Sequence, residues 1–330
     1  MAAFKKVLII MVVTGLFEMV IGQNIVCCQI VYSQGLNLKY DGQIGSKGTG
    51  EGQFNSPHSL AVDRFGNIYV GDTGNKRIQM FSSNGSFVKS WGSAGTGDGQ
   101  FLGLHDVGVD PTGRFVYTLE TNNHRVQKFD SNGNFITKWG FNGTGGRGAE
   151  RSPHQIAISS TGIVYLTDRN GNQILKFNDN GTFIGTIGSK GDKPVQFDGP
   201  HGIAIDAHND NVYLTDMKNS RVQVLNRNDT FVREWGSLGN GTGEFSITAP
   251  GIAVDSGNRV YVIDKINAKV QMFDTTGNYL ASWGNPGRGS EQLNKPEDIA
   301  VDAHNPDNNN TKIYVTDTRN SRIQILDVAG

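Results

Sequence analysis

The stretch NSPHSLAVDRFGNIYVGDTGNKRIQMF, residues 55–81, returns as LGLHDVGVDPTGRFVYTLETNNHRVQKF at 102–129 and as DGPHGIAIDAHNDNVYLTDMKNSRVQVL at 198–225. Tyr69, Tyr117, Tyr165, Tyr213 and Tyr261 recur at one constant interval, and Tyr314 follows after a slightly longer one, the surplus matching the insertion HNPDNNNTK. Six copies of one unit are therefore written in phase, and such a period marks a repeat architecture. Within a copy the period is two. HGIAID (201–206), NVYLTD (211–216), RVQVL (221–225) and FVREWG (231–236) read as strands, separated by turn signals such as SNGN, DNGT and TTGN. No segment sustains a helical period.

Four antiparallel strands per copy, repeated six times, predict an all-β fold, a six-bladed β-propeller of four-stranded antiparallel blades. Ring closure removes the two open edges that a linear stack would expose. Its position is readable. The step from tyrosine to tryptophan is the same in Tyr69–Trp91, Tyr117–Trp139, Tyr213–Trp235 and Tyr261–Trp283, and taken from Tyr314 it passes Gly330. The last blade thus lacks a fourth strand. YDGQIGS (40–46) supplies it: Tyr40 and Ile44 are spaced like Phe87 and Trp91, and the step from Ile44 to Pro57 equals that from Trp283 to Pro296. This N-terminal strand is expected to pair with Ile323–Leu326.

Domain organisation follows as a leader over 1–33 and a single propeller domain over 34–330. The leader joins two lysines in Met1–Lys6 to the apolar run VLIIMVVTGLF (7–17), the layout of a secretory signal, with a cleavage point after Ser33. A retained anchor is the other reading, and Glu18, Gln23, Asn24 and Gln29 make it a poor span. Both cysteines, Cys27 and Cys28, lie in the leader, so a processed chain has no thiol. Six Asn-X-Ser/Thr sequons, at Asn84, Asn142, Asn180, Asn228, Asn240 and Asn309, agree with a secreted or cell-surface protein. A net charge of −1 carries no bulk attraction to nucleic acid or anionic membrane. The expected partner is a protein or a small molecule, met by a monomer. No nucleic acid is expected, and a membrane only if the leader is retained.

PHGIAID, NVYLTD and NSRVQVL resemble the NHL repeat, and the resemblance runs over roughly residues 36–330. It implies a six-bladed propeller, a fold that family uses for protein binding, RNA binding and, in one branch, metal-dependent lysis. A secreted interaction scaffold binding at the channel mouth is the leading reading; the alternative is a metal-dependent lyase or hydrolase.

Candidate site residues come from the start of strand one, which faces the central channel. His58, His105, His154 and His201 hold that place in blades one to four; Gly251 and Glu297 hold it in blades five and six. One reading has these imidazoles bonding the neighbouring blade's backbone. The other has them binding a ligand, with the alternate set His105, His201 and Glu297 holding a divalent metal such as zinc. SPHSLAVD and LHDVGVD are similar to the zinc-histidine segments of peptidylglycine-type amidating lyases. The arginine loops of those enzymes resemble the surroundings of Arg77 and Arg221. Arg125 occupies the same place in blade two, so the resemblance implies these three as catalytic candidates. The residues themselves give a second reading. Asp72/Arg77, Glu120/Arg125, Asp216/Arg221, Asp264/Lys269 and Asp317/Arg322 are five apart across the strand two–three hairpin, a spacing for ion pairs that pin it. In blade three Asp168 meets Gln173, an acid without its cation.

Overall fold

The computed structural model describes residues 36–141, 151–246, 248–302 and 311–329 in full, and the backbone of 10–11, 16–21 and 24–29. It divides into two units, Met1–Leu36 with Gly330, and Asn37–Ala329. In the first, Ile10–Met11, Leu16–Ile21 and Asn24–Gln29 form an antiparallel three-stranded sheet. Cleavage after Ser33 and the sequons at Asn142 and Asn309 fall outside the described residues. Among those described, no helix is long and apolar enough to cross a membrane.

The second unit is the propeller. Blade one is Pro57–Val62, Ile68–Asp72, Arg77–Phe81 and Phe87–Trp91, each strand antiparallel to the next. Blades two to five repeat this order from Leu104–Val109, Pro153–Ile158, Pro200–Ile205 and Ile252–Val254. Blade six takes Pro296–Val301, Lys312–Asp317 and Arg322–Ala329 from the end of the chain and Asn37–Ile44 from its start. Ile323 pairs Ile44 and Leu326 pairs Tyr40, the register expected from the sequence.

Why these residues stack as blades is clear from what strands two and three bury. All six repeat tyrosines are buried, with the flanking apolar positions. Tyr213, Val222 and Val224 of blade four pack against Ile252, Val260 and Phe273 of blade five, so each interface is a dry seam between two sheets. The closing seam is the same: Ile44, Tyr314 and Ile323 meet Leu60, Ile68 and Phe81. The loops from strand four to the next strand one are tied by a buried phenylalanine. Phe54, Phe101, Phe197 and Phe245 are fully buried, and Gly45, at φ +85°, leaves room where a Cβ would collide with Phe54. These loops touch the strand two–three turns, through Gly74 N on Asn55 O and Asn75 Nδ2 on Gly48 O, which brings both loop sets to one face.

Candidate functional site at the channel mouth

The strand-one starts meet around the axis. His58, His105, His154 and His201 form an arc, with successive ring centroids 4.4, 4.5 and 4.3 Å apart. His58 Nδ1 lies 3.0 Å from His105 O, His105 Nδ1 2.8 Å from His154 O, and His201 Nδ1 3.1 Å from Pro250 O. A carbonyl only accepts, so each of these nitrogens carries its proton and each Nε2 is left with a lone pair. His154 departs from the rule: Thr167 Oγ1 occupies His201 O at 2.6 Å, and the His154 Nδ1 is buried with no partner. Its Nε2 stands 3.4 Å from Ser152 Oγ.

Burial keeps these rings neutral. It pushes His58 down to about 4, helped by Lys265, while His105 falls to about 3 and His154 to about 2 under burial and the neighbouring rings. His201 is held well below the usual range by burial and by His154. His58 keeps 25% of its side chain exposed and is the most basic of the three with values.

Below the arc the mouth has a floor that the motif reading missed. In three of the six blades the residue after the histidine position reaches for the next blade's backbone: Asp106 Oδ2 accepts from Ile156 N at 2.7 Å, Gln155 Oε1 from Ile203 N at 2.9 Å, and Asp298 Oδ2 from Leu60 N at 2.9 Å. Gln155 Nε2 also donates to Asp298 Oδ1 at 2.6 Å. Blades three and six stand opposite each other in a six-membered ring, so this bond is a strut across the axis. Beyond it lies a cavity of about 180 Å³ walled by residues such as Ala61, Val109, Ile158, Ile205 and Val301. Burial raises Asp298 to about 7 and Asp106 well above the carboxylate range, the latter also by the Asp298 charge. The signal for the floor was available in sequence: two acids at inward positions of buried strands.

The proposed metal set is brought only partly together. His105 and His201 have ring centroids 6.4 Å apart. Glu297 is engaged by Lys265 through Oε1, and its Oε2 lies 4.0 Å from His58 Nε2. Burial raises its carboxyl. Among the described residues no group of three or more His, Cys, Asp or Glu side chains is disposed to hold a metal. As placed, the carboxylate is neutralised and the rings pack on one another, so this donor set does not fit zinc.

The arginines lie in clamps. Arg77 Nε donates to Asp72 at 2.8 Å and Arg77 Nη2 to the carbonyls of Gly50 and Gln53. Arg125 spends Nε on Glu120 and Nη1 and Nη2 on the carbonyls of Thr96, Gly97 and Gln100. Arg221 bonds Asp216, Asp192 O and Gln196 O. Two pairings differ from expectation. Asp168 has its cation, Arg151 Nη1 at 2.8 Å, which arrives from the loop leading into blade three. Lys269 reaches the carbonyls of Asn240 and Gly241 instead of Asp264, because Ser246 and Asn267 already occupy that acid.

Comparison with known proteins agrees with this architecture. Residues 151–235 and 242–330 match a family described as 6-bladed beta-propeller, and residues 54–81 match the NHL repeat. Among curated proteins, NHL repeat-containing protein 3 of Homo sapiens is 46% identical over 48 residues, 14% of this chain and 14% of that protein, so the likeness spans a small part of the relative's length. A structural genomics protein of unknown function from Bacteroides thetaiotaomicron superposes with a TM-score of 0.65 at 16% identity, covering 95% of this chain and 81% of the other. A streptogramin B lyase superposes at 0.58 with 13% identity, covering 89% and 98%. At these identities the likeness is one of fold.

Proposed function

This chain belongs to the 6-bladed beta-propeller family, built here from NHL repeats, and from that premise we propose that it is an exported binding scaffold whose ligand enters the histidine mouth. The observation that carries the reading is the tautomer. Three imidazoles hold their Nδ1 protons on backbone carbonyls, which leaves neutral Nε2 acceptors at the mouth. A polar strut closes the well beneath them. Such a well suits a neutral group that donates hydrogen bonds, since Lys265 and Arg169 raise the cost of bringing a cation to it. Lysis or hydrolysis through zinc is less well supported, because Glu297 would first have to leave Lys265.

A thermal-shift screen of small hydrogen-bond donors, run on wild type and on His105→Ala/His201→Ala, tests this. Compounds that raise the melting temperature of wild type and not of the variant are expected. Equal shifts in both proteins would return the histidines to a purely structural role. Zinc at one per wild-type chain, lost in the variant, would instead favour the metal-dependent reading.

A further inference from the structure

A second opening lies on the same face, between blades five and six. It is a groove of about 710 Å³ whose walls include Lys265, Ile266, Pro286, Arg288, Leu293 and Lys295, and no carboxylate. We propose that this groove binds a small organic anion, one carboxylate, sulfonate or phosphate group carried on a short apolar body. The inference stands apart from the histidine mouth, and different side chains test it.

The repeat itself supplies the control. Aligned on the strand four–one loop, Arg288 stands where the other copies have Thr49, Thr96, Asp192 and Asn240. Leu293 stands where they have Phe54, Phe101, Phe197 and Phe245. Lys295 takes the place of Ser56, Gly103 and Gly199, at φ +53°. The repeat itself sets this left-handed backbone, since Ser56 sits at φ +52°, Gly103 at +72° and Gly199 at +76°, so the departure at Lys295 lies in its side chain. On the strand two–three turn, Ile266 replaces Gly74, Asn122, Asn170, Lys218 and Arg319, and it is 58% exposed. Four departures from the repeat therefore converge on one groove. Two add cations, one exposes an apolar side chain, and one trades a phenyl ring for a smaller group.

The cations are also free to act. Lys265 is held by Glu297, whereas the Arg288 and Lys295 side chains have no hydrogen bond or ion pair among the described residues. Lys218, on the corresponding turn of blade four, is by contrast paired with Asp198 at 2.9 Å. Arg288 and Lys295 thus offer charge-assisted donors to an anion, while the exposed Ile266 and Pro286 take its apolar body.

The test uses 8-anilinonaphthalene-1-sulfonate, an anion with an apolar body, titrated by fluorescence into the full chain at low and high salt. One dye per chain is expected, displaced by octanoate and not by octan-1-ol, and bound more weakly as salt rises. Arg288→Gln/Lys295→Gln should weaken binding about tenfold or more, the scale of a lost charge-assisted bond. Ile266→Asp should do the same through repulsion, and His105→Ala/His201→Ala should leave the affinity unchanged. Both groove variants alter exposed side chains and should melt as wild type does. Absence of dye binding, affinity within twofold of wild type in both groove variants, or equal displacement by octan-1-ol would overturn the proposal.

Discussion

A histidine that donates Nδ1–H to a neighbouring carbonyl and is largely desolvated by burial has little reason to take a second proton. Its folded pKa lies below the unfolded value near 6.5, so the unfolded chain binds more protons as pH falls, and stability present above about 6.5 is lost on the way down to about 4 and lower. Asp298 works in the opposite sense. With a folded pKa of about 7 against an ordinary 3.8, it holds a proton that the unfolded chain has released, so its stabilisation fades as pH rises from about 4 to 7. The two slopes oppose each other in the same window. Asp298→Asn should therefore lower the melting temperature overall, by weakening the bonds to Leu60 N and Gln155, and should make it climb more steeply between pH 4.5 and 6.5. Melting curves at four pH values across that range check this, and an unchanged or shallower slope would contradict it. Nitrogen shifts of labelled histidines should also show His58, His105 and His201 neutral and Nδ1-protonated at pH 5.5.

The strand two–three hairpin is pinned by a clamp far less exposed than spacing alone conveys. Asp216 is fully buried and Arg221 8% exposed; the carboxylate accepts from Asp198 N, Asn219, Arg221 and Gln223. An exposed pair would contribute about 0–1 kcal/mol, but removing one partner of a buried pair costs roughly 3–5 kcal/mol. Asp216→Ala should fall in the larger range in chemical denaturation, and Asp72→Ala close to it. Arg151→Ala should match them, since Asp168 is 1% exposed and Arg151 is the cation bonded to it. A loss under about 1 kcal/mol for all three, the scale of an exposed pair, would show the clamps to be solvated in solution. The regular spacing of acid and base was legible because a hairpin is a local object with fixed register. Arg151 was not, because it reaches Asp168 from the loop leading into blade three, 17 residues away along the chain. The floor of Asp106, Gln155 and Asp298 depends on three strands meeting at an axis, which no single copy of the repeat records.

At the scale of the ring, spacing carried the fold. Tyrosine period and tyrosine–tryptophan distance gave blade number, strand order and the place of closure, because each blade packs only against its neighbours and must repeat what they offer. The site was legible in part: the histidines do meet at one mouth, but their tautomers, the strut and the groove between blades five and six depend on contacts between blades. Closure is where the whole molecule is most exposed to a single change. Asn37–Ile44 covers the outer edge of Arg322–Ala329 and inserts Leu38 and Ile44, 3% and 6% exposed, into the last blade. Without that strand Ile323–Leu326 becomes an open apolar edge, and blades six and one lose part of their shared seam. Deleting residues 37–44 should lower the melting temperature by ten degrees or more, on the order expected from losing several kcal/mol in a domain of this size, and should shift the chain toward aggregates in size-exclusion chromatography. Ile44→Ala should give a smaller loss, about 2–5 kcal/mol for a buried isoleucine, with the chain still monodisperse. A deletion variant that melts and elutes as wild type does would mean that the ring is held by its seams alone and that the borrowed strand is dispensable.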